Sequence, residues 1–138
     1  MITKQISVFL ENKSGELARV AGLLSENGIN LRALDIAQTS SYGIIRFVSD
    51  RQTDAARILS ENDYVLHVSE VFAVKVPDRP GGLSGLLDIL AENEINVEYM
   101  YSSFSITDMD VAMIIRVPDV QKFEKLIEGN SEYSITNL

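Results

Sequence analysis

The chain is written twice. Residues 6–31 lie over residues 72–97 without a gap, at a constant spacing of 66. Val8 falls on Val74, Gly15 on Gly81, Leu17 on Leu83 and Leu24 on Leu90. Glu26-Asn27-Gly28-Ile29-Asn30 falls on Glu92-Asn93-Glu94-Ile95-Asn96, with one difference. Further on, Ile44-Ile45-Arg46 matches Ile114-Ile115-Arg116 at a spacing of 70, and Tyr64 matches Tyr133 at 69. The second copy therefore carries a few extra residues in the loop before its third strand, where length variation is tolerated best. Such a repeat constrains everything else, because whatever one half folds into, the other half must fold into too.

Each copy reads as βαββαβ. Ile6, Val8 and Leu10 alternate with Ser7 and Phe9, and Phe72, Val74 and Val76 alternate with Ala73 and Lys75, the period of a strand. Leu17, Val20, Ala21 and Leu24, like Leu83, Leu86, Leu87 and Leu90, recur at helical spacing and form one apolar stripe per helix. Gly28 suits the left-handed position that ends the first helix. Glu94 replaces it in the second copy, so Asn93 is expected to take that role. Segments 30–39 and 96–104 read as second strands, and 43–48 and 111–117 as third strands. Segments 53–62 and 120–128 read as second helices, and 65–70 and 133–138 as closing strands. The class is α+β: two tandem ferredoxin-like units, residues 1–70 and 71–138, with helices on one face of an antiparallel sheet. No Gly-, Pro- or Ser-rich linker separates Val65 from Val76. The two sheets are therefore expected to join edge to edge, since each copy of about 70 residues is small for an independent core.

The bulk chemistry excludes several functions. Twelve Lys and Arg against 20 Asp and Glu give a net charge of −8, which repels phosphate backbones and anionic membranes and leaves nucleic acid and membrane as poor partners. The absence of cysteine removes disulfides, thiol catalysis and thiolate metal sites. The N-terminus enters an alternating pattern at once, with no apolar core of signal-peptide length and no later run long enough to span a bilayer. A cytoplasmic location is the expectation.

The most distinctive segments join the first strand to the first helix of each copy: Glu11-Asn12-Lys13-Ser14-Gly15-Glu16-Leu17 and Pro77-Asp78-Arg79-Pro80-Gly81-Gly82-Leu83. Gly15 and Gly81 permit a tight turn or the close approach of a ligand, and Pro80 suits a first helical turn. A helix N-terminus offers unpaired N–H groups and a positive dipole end to a carboxylate or phosphate. The residues alone leave open a plainer role, in which Asn12 and Asp78 simply cap their helices.

Asn-Lys-Ser-Gly-Glu-Leu followed by an amphipathic helix and Ile29-Asn30, and Asp-Arg-Pro-Gly-Gly-Leu followed by a helix and Ile95-Asn96, resemble the signature of ACT domains. The resemblance covers the first half of each copy. With Ser14 in the place of proline, the first copy is also similar to the small regulatory subunits of acetolactate synthase. It implies a non-catalytic amino-acid-binding regulator without a cofactor, whose ligand sits in a seam between two paired domains. The alternative to a stand-alone sensor is a regulatory subunit that docks on an amino-acid biosynthetic enzyme, and the sequence leaves both open; the resemblance is compatible with a homodimer. Carried over residue by residue, the ligand-binding set is Asn12, Lys13, Ser14, Gly15, Glu16 and Leu17 in the first loop. Asp78, Arg79, Gly81, Gly82 and Leu83 follow in the second, with Asn30 and Asn96 after the helices. Serine-sensing members use the loop Asn of one unit and the Asn after the helix of its partner. They also carry a histidine two residues before the loop Asn, where this chain has Leu10 and Val76. Asp78 replaces the loop Asn in the second copy, so the two seams are chemically unequal.

Other chemistries fit less well. His67 is the sole histidine, and a Ser/His/Asp triad would have to be built around a strand residue at the repeat boundary. Gly81-Gly82-Leu83-Ser84-Gly85 lacks the Lys-Ser/Thr of a phosphate loop. Asp108 and Asp110 lack the Gly and terminal Glu of a calcium loop, and Glu92 and Glu94 surround a helix end facing water. Tyr99 and Tyr101 could stack on a ligand, but strand positions beside Met100 suit sheet packing equally. Acylphosphatase shares the element order and uses an Arg in the first loop, where Arg79 stands, yet its G-x-V-x-x-V-x-F/Y-R pattern is missing.

Overall fold

A computed structural model describes residues 1–11, 13–38, 41–106 and 110–138, with the side chains of 105 and 106 also left aside. Asn12 and Asp108 thus lie outside the described residues. The element order is β1 (Thr3–Glu11), α1 (Glu16–Glu26), β2 (Leu31–Gln38), β3 (Tyr42–Ser49), α2 (Gln52–Glu61), β4 (Val65–Pro77), α3 (Gly82–Glu92), β5 (Tyr99–Ile106), β6 (Asp110–Arg116), α4 (Val120–Glu128) and β7 (Ser134–Ile135). Among the described residues the architecture is α+β, seven strands and four helices, in the order of tandem ferredoxin-like units. The chain divides into two compact units, Lys4–Ser69 and Glu70–Leu138 with Met1–Thr3.

In the first unit β3 lies between β1 and β2 and is antiparallel to both, with Val8 opposite Ile45 and Ile36 opposite Ile45. The alternation of β1 turns Ile6, Val8 and Leu10 onto α1 and α2. There they join Val20, Leu24, Ile29, Phe47, Ala55, Ile58 and Leu59 in one buried cluster. The second unit repeats this plan. β6 pairs with β4 and β5, and β7 pairs with β4 through Val74–Ile135 and Lys75–Ser134. Phe72, Val74 and Val76 meet Leu86, Leu90, Ile115, Phe123, Ile127 and Tyr133, and the Phe72 and Phe123 rings stack with centroids 4.6 Å apart.

Four expectations need correction. The closing strand of the second copy is Ser134–Ile135 alone, not 133–138, because Tyr133 turns its ring into the core instead of pairing in the ladder. The second copy's second strand begins at Tyr99, so Asn96 stands before it in irregular backbone. Glu94, not Asn93, adopts the left-handed conformation, with φ 53°, at the position where Gly28 has φ 70°. The backbone hydrogen bond from Ile95 to Leu90 at 2.8 Å, matching Ile29 to Leu24 at 3.0 Å, fixes that geometry whatever the residue. Finally, Leu17 and Leu83, expected on the buried stripes, are 37% and 40% exposed. Each is the first helical leucine after its loop, at the end of the stripe, and Leu17 lines a cleft with Ile36 and Ile45 rather than joining the core.

Candidate functional site

The two loops share one backbone design. In the first copy the Lys13 amide donates to the Glu11 carbonyl at 2.9 Å, Glu16 to Lys13 at 3.4 Å and Arg19 to Gly15 at 3.0 Å. In the second, Arg79 donates to Pro77 at 3.0 Å, Gly82 to Arg79 at 3.0 Å and Gly85 to Gly81 at 2.9 Å. Gly15 and Gly81 are the helix N-caps, with φ 91° and 85°, a left-handed conformation that glycine adopts without steric cost. A glycine cap has no side chain to satisfy the first-turn N–H groups, and the first of these, those of Glu16 and Gly82, donate instead to the Lys13 and Arg79 carbonyls at the positive end of each helix. Pro80 precedes the cap rather than entering the first helical turn, and Asp78 is exposed and does not serve as the N-cap. For Asp78 the plainer capping role therefore fails.

Around this common backbone the side chains differ. Lys13 Nζ lies 3.1 Å from Glu11 and 3.9 Å from Glu16, while Arg19 reaches Glu16 at 3.4 Å. The hydrogen bond to the Glu11 carboxylate, and then the charges of Glu11 and Glu16, hold the Lys13 ammonium above its ordinary pKa. Ser14 and Gly15 are exposed. Two clefts flank the loop, both lined wholly by the first unit. One, of about 110 Å³, is lined by Leu10, Glu11, Lys13, Glu16, Leu17, Ile36, Gln38, Gly43 and Ile45. The other, of about 210 Å³, is lined by Phe9, Leu10, Glu11, Lys13, Glu16, Arg19, Asp63, Tyr64 and Val65. Both combine a cation, carboxylates and an apolar wall, the requirements of a small zwitterion with an apolar side chain.

In the second copy Arg79 donates to Glu132 at 2.7 Å. Its guanidinium is already engaged by a carboxylate, unlike the anion-seeking arginine of an acyl-phosphate site. Gly82 is buried, and a Cβ there would collide with the Pro77 carbonyl oxygen. Gly81 and Leu83 are exposed.

Neither unit alone brings its asparagine to its loop. Asn30 and Asn96 are exposed and follow the far ends of α1 and α3, and eleven helical residues span about 16 Å. The Asn30 amide donates to the Asp50 carboxylate at 3.0 Å, and Asp50 returns a bond to the Asn30 carbonyl. The remaining candidates resolve plainly. His67 is an exposed strand residue. Tyr99 and Tyr101 stack on one another at 6.5 Å, with Tyr101 buried. Among the described residues no group of three or more His, Cys, Asp or Glu is placed to hold a metal, and no helix is long and apolar enough to cross a membrane.

Sequence reasoning missed Ile36, Gln38, Arg19 and Tyr64 as cleft residues. Only Tyr64 carried a signal, its match with Tyr133. It also missed Asn27 and Asn93, whose side-chain amides both donate at 2.8 Å to a carbonyl one turn back, that of Leu23 or Ile89, and finish the two helices identically.

Comparison with known proteins agrees with this doubled design. The crystal structure of protein BT0572 from Bacteroides thetaiotaomicron superposes with a TM-score of 0.90 at 31% identity, covering 98% of this chain and 93% of that one. The ligand-free regulatory subunit of aspartate kinase from Thermus thermophilus has the same fold, with a TM-score of 0.62 at 16% identity over 83% of this chain and 87% of that one. By sequence, the acetolactate synthase isozyme 3 small subunit of Escherichia coli is 37% identical over 62 residues, 45% of this chain and 37% of the relative. The acetolactate synthase small subunit of Haemophilus influenzae is 37% identical over 70 residues, 50% of this chain and 42% of the relative. The chain thus spans less than half the length of these curated relatives. Residues 1–136 match the family described as the ACT domain pair, and the chain belongs to that family.

Proposed function

We propose that this chain is a non-catalytic regulator that binds a free amino acid, held by a strand-to-helix loop in a seam where two ACT domains pair. Residues 1–70 and 71–138 are the two domains of this reading. The observation that carries it is the pair of glycine-capped helix starts, Gly15 and Gly81, with no side-chain cap at the positive end of either helix, where a carboxylate is favoured. In the first copy Glu11 and Glu16 stand beside that position to receive an ammonium, and Leu10, Leu17 and Ile36 offer an apolar wall. Asn12, Lys13 and Ser14 complete the first loop, and Asn30 and Asn96 serve as the amides supplied by a paired domain. Similarity to acetolactate synthase small subunits supports a second step, in which the chain docks on an amino-acid biosynthetic enzyme and transmits occupancy to it.

A thermal-shift screen against the twenty amino acids tests the reading, because a ligand that binds only the folded state raises the melting temperature. Micromolar to millimolar affinity, worth roughly 4–8 kcal/mol, is expected for at least one of them. The carboxylic acid lacking its α-amino group should bind far more weakly. A flat response to all twenty sinks the proposal.

A further inference from the structure

The two loops share their backbone but not their anchorage. Tyr133 is 2% exposed, and its hydroxyl donates to the Gly82 carbonyl at 2.6 Å, in the first turn of the helix that the second loop leads into. The ring reaches that position because α3 has Gly85 there: a Cβ on Gly85 would come 2.5 Å from the hydroxyl. Glu132, next in sequence, holds Arg79 of the same loop at 2.7 Å. Two consecutive residues of the C-terminal segment thus grip the second loop from its middle to its first helical turn.

The first copy cannot build this grip. At the repeat spacing of 66, Gly82 and Gly85 become Glu16 and Arg19, and Tyr133 corresponds to Tyr64. Arg19 carries a side chain where Gly85 has none, and it reaches Glu16 at 3.4 Å. Tyr64 is only partly buried, lines the cleft beside Lys13, Glu16 and Arg19, and its hydroxyl has no hydrogen-bond partner among the described residues. Asp63 stands where Glu132 does, and its counterpart across the loop is Lys13, which pairs instead with Glu11.

We infer that Tyr133 and Glu132 form a built-in latch that holds the second loop closed on its own domain, so that the first loop alone is free to respond to a ligand. The latch stands on the contacts above. The response of the first loop rests on the amino-acid reading, and the two parts are tested separately.

Hydrogen exchange on the full chain without ligand decides the latch. The three backbone hydrogen bonds of one loop recur in the other, so a difference in protection reports what the side chains add. Amides of residues 82–86 should be at least about fivefold better protected than those of 16–20, the effect of about one neutral hydrogen bond. Tyr133→Phe should erase that difference without altering 16–20, and Arg79→Gln should reduce it in part. Equal protection in the native chain, or no change at 82–86 in either variant, overturns the latch. Should Tyr133→Phe not fold, the native comparison and Arg79→Gln still decide. In a second arm an equimolar mixture of the twenty amino acids is added. New protection confined to the first loop supports the inference, and new protection at the second loop overturns it. New protection at neither loop overturns the amino-acid reading, while the ligand-free comparison still decides the latch.

Discussion

The Tyr133 hydroxyl donates to the Gly82 carbonyl at 2.6 Å across 51 residues of sequence, tying the end of the second unit to the start of α3. Burial, and then the nearby Glu132 carboxylate, disfavour the tyrosinate and raise the Tyr133 pKa above its ordinary value, with Arg79 opposing in part. The folded state therefore holds this proton more tightly than the unfolded chain. That contribution is complete below the unfolded value of about 10 and is lost as pH rises through the folded one. Denaturant midpoints should fall between neutral pH and about pH 11, and Tyr133→Phe should flatten that fall. The same variant should lose about 0.5–1.5 kcal/mol at neutral pH with its hydrogen bond. An unchanged alkaline slope in the variant would refute the assignment.

Two glycines inside helices should respond oppositely to alanine. A Cβ at Gly22 meets nothing within 4 Å, whereas one at Gly85 meets the Tyr133 hydroxyl at 2.5 Å. Gly22→Ala should stabilise by about 0.5–1 kcal/mol through helix propensity and a less free unfolded chain. Gly85→Ala should gain the same propensity and lose more to the clash, for a net cost of about 1–2 kcal/mol. In a Tyr133→Phe background the cost should shrink, since the clashing atom is gone. Urea unfolding of the four variants gives the coupling directly.

The left-handed residues give a third contrast. Glu94 with φ 53° and Asp63 with φ 65° occupy a region that L-residues enter at a cost, and Gly28 with φ 70° shows the relaxed solution in the other copy. Glu94→Gly should therefore raise the melting temperature, by the equivalent of up to about 1 kcal/mol. Gly15→Ala and Gly81→Ala, at φ 91° and 85°, should each cost at least about 1 kcal/mol. A neutral Glu94→Gly would mean that the glycine gains as much freedom in the unfolded chain as it relieves in the folded one.

What the sequence made legible was whatever the repeat and the hydrophobic period encode together. The paired glycines 15 and 81 and the helix that follows each could be read directly, because sterics and periodicity act locally. Tertiary packing decided the rest. Tyr64 and Tyr133 align as equals, yet only one is a latch, because Gly85 and Arg19 sit on a different element and differ in bulk. Tyr133 was read as a strand residue for the same reason: its apolar neighbours suit a ladder, but its ring has a better place in the core. Leu17 and Leu83 fit the stripe by spacing, yet they stand at its first turn and are 37% and 40% exposed, which periodicity alone does not tell. Asn30 and Asn96 were chosen by resemblance, and nothing local to either unit brings them to a loop.

The last prediction concerns those asparagines. An amide can donate to a carboxylate or accept from an ammonium, whereas ionised Asp78 can only accept. At about 5 Å from a ligand carboxylate and an effective dielectric near 20, Asp78 would cost roughly 3 kcal/mol in repulsion. With the second loop also held by Tyr133 and Glu132, the proposed function predicts that the first loop gives the better site, and that Asn12 and Asn96 matter more to binding than Asp78 and Asn30. Asn30 has a structural duty that alanine preserves: its backbone N–H and C=O both bond to Asp50. One hydrogen bond to a charged group is worth about 1.5–3 kcal/mol, or roughly 10- to 150-fold in affinity. Asn12→Ala and Asn96→Ala should each weaken amino-acid binding by that factor in calorimetric titration, with Asn30→Ala close to the native chain. If Asn30→Ala is instead the most damaging of the three, the working site is the one built on Asp78, and the ammonium rather than the carboxylate faces that loop.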